Sequence, residues 1–209
     1  PDLRAKERVI LSIGRFFAGF HDKRHDVLID AFAALHAGAG AADGWELHLV
    51  GGLGPEAGSA EHLERLRERA AGLPIVFHVD ASAAELDDLL GRGALLWHAT
   101  GYGVDPVAHP ERLEHFGIAT VEGMAHGAVP LVVPAGGQGE IVADGETGRH
   151  WGSVTELVDV TAELIAYRRE RERLAAAAAA AAQRFGRARF EAAVRQEVLA
   201  LATAPPRDG

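Results

Sequence analysis

Cysteine is absent from the 209 residues, which excludes a disulfide scaffold, a thiolate metal site and a cysteine nucleophile. The absence also fits a reducing compartment. No apolar run approaches the roughly 18 to 20 residues that a membrane span needs, and no charged-then-apolar leader opens the chain. These features predict a cytoplasmic protein, or one peripheral to the inner face of the membrane. Positive charge is scarce too: 21 Lys and Arg against 30 Asp and Glu leave a net charge of −9. That balance repels a polyphosphate backbone, and no Lys/Arg stripe interleaved with aromatics is present, so nucleic acid is not an expected partner. A small anionic ligand would need a local basic pocket. Methionine occurs once, at Met124, and the chain opens on Pro1, a pattern expected of a piece of a longer protein. What is present is ordinary for a globular domain, with 48% hydrophobic and 24% charged residues, enough to bury a full core.

Short β-rich runs alternate with helical periodicity, the signature of βα units and a mostly parallel sheet in a three-layer Rossmann-like α/β domain. Strands are predicted over 9–13, 47–50, 75–79, 94–98 and 129–133, with a short last one over 148–151. Between the first two, Val27, Leu28, Ala31, Phe32 and Leu35 recur at helical spacing. Further helices are predicted over 60–71, 84–90, 118–126, 154–168, 170–184 and 187–201. The eight consecutive alanines at 175–182 read as helix propensity, because charged and apolar residues flank them in phase. One domain over 1–203 is expected, followed by a frayed tail over 204–209. A long polar connection separates the strand at 94–98 from Glu114, and loops of that length are usually functional.

In a doubly wound sheet, ligands bind beyond the carboxyl ends of the strands. Gly14-Arg15 follows the first strand and Lys23 comes eight residues later; Gly allows close backbone approach and the cations suit a phosphate, although a glycine turn with solvated cations gives the same pattern. Gly52-Leu53-Gly54-Pro55-Glu56-Ala57 formally matches a dinucleotide fingerprint, but it follows the second strand and Pro55 removes an amide donor. Glu114 and Glu122 lie eight positions apart, the first at a loop tip and the second about two turns along a helix that starts near Gly117. The amides of Phe116, Gly117, Ile118 and Ala119 would then face whatever sits over that helix N-terminus. A capped amphipathic helix with two solvated acids is the plain alternative. The turn Gly136-Gly137-Gln138-Gly139-Glu140 decides nothing by itself.

In order, the chain carries Ser12-Ile13-Gly14-Arg15 with a following Lys, then Val50-Gly51-Gly52-Leu53-Gly54-Pro55. His115-Phe116-Gly117 comes next, inside the Glu114-x7-Glu122 pair. Gly127-Ala128-Val129-Pro130 and Gly137-Gln138-Gly139-Glu140-Ile141-Val142 close the series with Asp144-Gly145-x-Thr147-Gly148. Over about residues 7–200 this resembles the C-terminal, donor-binding domain of retaining glycosyltransferases of the GT-B fold, family GT4 (glycosyl transferases group 1). The doubled acid with its Gly-Ala-Val-Pro continuation is the specific part.

The resemblance implies a domain that binds a nucleotide-diphosphate sugar, UDP- or GDP-linked, and transfers the sugar with retention to a sugar, lipid or small-molecule acceptor. It assigns Arg15 and Lys23 to the donor diphosphate and the leaving-group charge, and Glu114 to the transferred sugar. Gly14 and the amides from Phe116, Gly117, Ile118 and Ala119 would contact sugar and phosphate, Glu122 the ribose, and Val79-Asp80-Ala81 would border the base. No metal or other cofactor is implied. The interval from Arg15 to Lys23 is longer than the family's, and Arg24 rather than Gly follows the lysine. The N-terminal acceptor domain that forms the opposite wall of a GT-B cleft is expected to be missing, which would leave the isolated domain inactive. A non-catalytic nucleotide-sugar-binding or interaction module is the alternative function.

Other chemistries find less support. His21 and His25 have helical spacing, but no third metal ligand is placed by sequence, and no G-x-S-x-G elbow occurs. His98 ends a strand, as a cleft residue or as a satisfied strand-end histidine. Trp45, Trp97 and Trp151 read as packing residues.

Overall fold

The computed structural model describes residues 6–203 except 18, 20, 21, 39 and 41, with side chains as far as residue 199; the expected tail over 204–209 lies outside them. Among these residues one six-stranded sheet forms, in the order β3-β2-β1-β4-β5-β6. Its strands are β1 (Val9–Ile13), β2 (Glu46–Gly51), β3 (Ile75–Val79), β4 (Leu95–His98), β5 (Val129–Val132) and β6 (Arg149–His150). Every pairing is parallel. Helices α1 (His25–Ala37), α2 (Ser59–Arg69), α3 (Ala83–Arg92), α4 (Ile118–Ala125) and α5 (Gln138–Ile141) intervene. Helices α6 (Val154–Ala166), α7 (Arg168–Ala182) and α8 (Arg187–Thr203) close the described chain.

Strands such as Val-Ile-Leu-Ser-Ile and Val-Pro-Leu-Val are apolar almost without interruption because both faces of the sheet are covered. One face, through Ile10, Leu47, Leu49, Leu95, Trp97, Val129 and Leu131, packs on Leu28, Phe32 and Leu35 of α1 and Leu157 and Leu164 of α6. On the other face Val9, Leu11 and Val50 meet Leu89 and Leu90 of α3. Val132 on that face meets Met124, Ile141, Val142, Ala178 and Ala182. Each fully buried large side chain contributes about 1.5 to 3 kcal/mol, so this two-sided core fixes the register of the strands. Trp45, Trp97 and Trp151 are all buried in the first cluster.

The predicted architecture is thus the observed one, with small differences at the ends. The last strand shrinks to Arg149–His150, and part of the glycine turn after β5 winds into the single turn α5. Ser82 caps α3 reciprocally with Glu85. The N-terminus of α4 receives no side-chain cap, and Gly117 holds its entry at φ 97°.

Candidate functional site

The strand order reverses direction between β1 and β4, since β2 and β3 lie to one side and β5 and β6 to the other. Chain segments leaving the carboxyl ends of β1 and β4 therefore part, and a crevice opens between them. It is lined by Ile13, Gly14, Arg15, Lys23, His98, Glu114, Phe116, Gly117, Ile118, Ala119 and Glu122 and measures about 440 Å³. A neighbouring hollow of about 480 Å³ shares Ile13, Gly14 and Arg15 and continues over Gly51, Gly52, Asp80 and Ala81. Together they form one trough across the ends of β4, β1, β2 and β3, of the size usual for small-molecule sites.

Its two cations are held differently. Arg15 leaves β1 directly; its guanidinium lies 4.8 Å over the Phe17 ring and 3.8 Å from Glu56 Oε1, with the side chain 56% exposed. Lys23 is better anchored. Arg24 beside it adopts φ 51°, its amide donates to Asp22 Oδ1, and its guanidinium grips Asp26 and the Tyr102 carbonyl oxygen. The stem of Lys23 then lies across Gly14, where any Cβ would come within 2.5 Å of Lys23 Cγ. Gly14 is therefore the residue that lets Lys23 turn into the crevice. Its Nζ donates to Glu114 Oε2 at 2.6 Å.

Glu114 reaches the crevice on the long connection after β4. That connection packs back through buried Leu113 and through Tyr102, whose ring is 5.1 Å from Trp151. Beneath the carboxylate, His98 Nε2 lies 3.2 Å from Oε2, its own side chain only 5% exposed. The hydrogen bond from His98 and the contact with Lys23 hold the Glu114 carboxyl down at about 2, although burial works against ionisation. Burial lowers His98, so its ring is neutral at ordinary pH.

Next along the chain, Thr120 and Val121 donate to the Gly117 carbonyl oxygen, and the amides of Ile118 and Ala119, first-turn donors at the trough, have no partner among the described residues. The Gln138 amide packs directly under Gly117, where a Cβ would collide with it. Glu122 is exposed on the same helix, about one turn in, and Phe116 and Ile118 form an apolar lip, 44% and 66% exposed. At the other end Asp80, at φ 55°, accepts from the Leu53 amide at 3.1 Å.

The sequence-selected residues thus converge, with one exception. Val79 packs with the main core beside Ile75 and Phe77 and does not line the trough; Asp80 and Ala81 do. The strand's period of two puts those three apolar side chains on one face, a signal sufficient to exclude Val79 as a lining side chain. His98 and Gln138 are the members that reading by motif undervalued. His21 lies outside the described residues, and His25 is buried with its ring centroid 4.9 Å from that of Phe16. Among the described residues no group of three His, Asp or Glu side chains is arranged to hold a metal ion.

Another hollow, about 490 Å³, opens at the opposite, amino ends of the strands. Its cations are already committed: Lys6 to the Leu90 carbonyl oxygen, Arg8 to that of Asp43, Arg168 to Glu172, and Arg171 to the carbonyls ending α6. It is a seam between elements more than a receptor for anions.

Against known proteins, the model of the glycosyl transferases group 1 family matches residues 1–181. The chain belongs to that family. It is 31% identical over 150 residues to a GDP-Man:Man(3)GlcNAc(2)-PP-Dol alpha-1,2-mannosyltransferase of Dictyostelium discoideum, a match that takes in 69% of this chain. The chain spans 27% of the length of that relative. Among solved structures it is similar to HepE of Anabaena in complex with UDP and glucose, with a TM-score of 0.71, 21% identity and coverage of 97% of this chain and 50% of the other. It is also similar to the C-terminal domain of LpcC, a glycosyl transferase group 1 family protein of Francisella tularensis, with a TM-score of 0.64 and 18% identity. That match covers 86% of this chain and 87% of the other. The group 1 domain is therefore the Rossmann-like half of a GT-B fold. Among the described residues no helix is long and apolar enough to cross a membrane.

Proposed function

We propose that this group 1 domain binds a UDP- or GDP-linked sugar and, joined to an N-terminal acceptor domain, transfers the sugar with retention of configuration, as a GT4-type enzyme. The observation that carries the reading is the convergence of Arg15, Lys23, Glu114 and Glu122 with the open amides of α4 on one trough at the sheet's reversal point. In this reading Arg15 and Lys23 neutralise the diphosphate and the charge that develops on it as the sugar leaves, so no metal is required. The amides of Ile118 and Ala119 bind a phosphate or sugar oxygen at the helix N-terminus. Glu114 hydrogen-bonds the transferred sugar, Glu122 the ribose, and Asp80 with Ala81 borders the base. The relatives support the donor class: one is a GDP-mannose enzyme by name, and HepE is seen with UDP and glucose.

The test compares affinities for UDP, UDP-glucose, GDP and GDP-mannose by titration calorimetry, in EDTA and in magnesium. Binding of at least one pair in EDTA is expected. Glu122→Gln should weaken a nucleoside diphosphate and its sugar conjugate by similar factors, because both contain ribose, whereas Glu114→Gln should weaken mainly the conjugate. Affinities untouched by either change, in a folded protein, overturn the assignment of the site; a strict metal requirement overturns the metal-free part.

A further inference from the structure

The Glu114 carboxylate is fastened by one oxygen. Lys23 Nζ and His98 Nε2 both lie on Oε2, at 2.6 and 3.2 Å. The two donors come from different directions, Lys23 from the loop before α1 and His98 from the last position of β4. His98 cannot swing away, since it is buried at a strand end, in register with Val132 of β5. Its Nδ1 is buried with no hydrogen-bond partner among the described residues, and Gln138 Nε2 lies 3.4 Å from its Nε2. A neutral imidazole has one N–H to give; among the described residues the only carboxylate in contact is at Nε2, so the proton belongs there and Nδ1 stays bare.

We propose that His98 is a positioning residue that, with Lys23, pins Oε2 of Glu114 and so presents Oε1 to the transferred sugar. This rests on the reading of Glu114 as the sugar-binding acid. Lys23 alone would not suffice, because a flexible ammonium that must also serve a diphosphate can drag the carboxylate with it, whereas a strand-borne imidazole cannot. The rigid donor fixes the carboxylate plane while the mobile one is shared with the ligand. Gln138 completes the floor by packing: it lies under Gly117 and beside His98, so the turn after β5 backs both the helix entry and the imidazole.

The test uses the 209-residue chain with His98→Phe, which keeps a ring but loses the donor, and His98→Gln, whose side-chain amide can reach the same oxygen. The Glu114 carboxyl titration is followed by carbon-detected NMR, its signal identified by loss in Glu114→Gln. In His98→Phe the midpoint should rise from about 2 toward the ordinary 4.5, and in His98→Gln it should stay near the wild-type value. By calorimetry, His98→Phe should lower the preference for a nucleotide sugar over its diphosphate, as Glu114→Gln does, with no further loss in the double variant; His98→Gln should restore it. An unmoved Glu114 midpoint in His98→Phe, or equal weakening of both ligands, overturns the proposal. If the wild type binds neither UDP-glucose nor GDP-mannose, the sugar-donor reading fails while the titration still decides whether His98 holds Glu114. Should phenylalanine prevent folding, His98→Asn, too short to reach Glu114, carries the same expectations.

Discussion

Lys23 Nζ stands 2.6 Å from Glu114 Oε2, joining residues 91 positions apart in the chain. The lysine is therefore spoken for before any ligand arrives, and an incoming diphosphate must share it with a carboxylate. Lys23→Ala removes a phosphate donor and also leaves Glu114 facing the diphosphate with less compensation. It should weaken UDP or GDP binding by tenfold or more, on the order of 1.5 to 3 kcal/mol for a charge-assisted contact. Glu114→Gln made in that background should recover part of the loss. Calorimetry of the two single variants and the double at fixed ionic strength reads the coupling; strictly additive losses would show the pair to be independent of the ligand.

Gly14→Ala tests how the lysine is aimed. An added Cβ meets the Lys23 stem at Cγ, close to the backbone, where the side chain has little freedom to yield. The lysine should be displaced from Glu114, so the variant should bind diphosphate as poorly as Lys23→Ala while its melting temperature changes little. Wild-type affinity in Gly14→Ala would mean that the stem has another route into the crevice.

Arg15 has a competitor of its own in Glu56, 3.8 Å away with both side chains about half exposed. Exposed pairs of this kind are worth about 0.2 to 1 kcal/mol and are screened by salt. Glu56→Ala should thus raise diphosphate affinity by up to about fivefold at low ionic strength, and the gain should fade as salt is added. A loss of affinity would instead make Glu56 part of the ligand's own contact set.

Stability should fall with acid in two stages. Burial, with help from His62 and Lys23, lowers His25 to about 3, below its ordinary 6.5. A group whose folded-state value is depressed gives up stability as pH drops, so the His25 contribution is complete above about 6.5 and declines toward 3. Glu114, held to about 2, adds its own loss below 4.5. Between pH 6.5 and 4.5 the slope should therefore come from histidine, chiefly buried His25 and His98 with a smaller share from part-buried His78, which burial and His48 also lower, at up to about 1.4 kcal/mol per pH unit for each proton taken up. Urea unfolding across that range should show a shallower slope in His25→Leu than in the wild type. An unchanged slope would assign the acid sensitivity elsewhere.

The sheet was readable because both its faces are covered, so each strand announces itself as an apolar run, and the helices between carry their own period. Arg15, Glu114, Glu122 and the amides at 116–119 were readable because they follow strands or open a helix, where topology alone sends them to one edge. The partnership of His98 with Glu114 was not, since it depends on how a 15-residue connection folds back over β4, which no period encodes. Nor was the grip on Lys23: it hangs on a non-glycine residue, Arg24, in the left-handed region, held there by Asp22, Asp26 and Tyr102. Gln138 sat within a recognised glycine turn, but its value comes from lying under Gly117, a relation between β5 and α4 that only packing creates.

The alanine run of α7 acts at a distance from the trough. Ala178 and Ala182 press against the cluster holding Met124 of α4, and Phe185, just past the helix, meets Phe116 edge-on at 5.4 Å. Methyl groups are the shortest apolar spacers available, so they work as a shim that sets how far back α4 sits. The position of α4 thus rests in part on α7 residues that do not line the trough. A bulkier side chain at position 178 would displace α4, so the shape of this cleft is written partly into the plainest stretch of the chain.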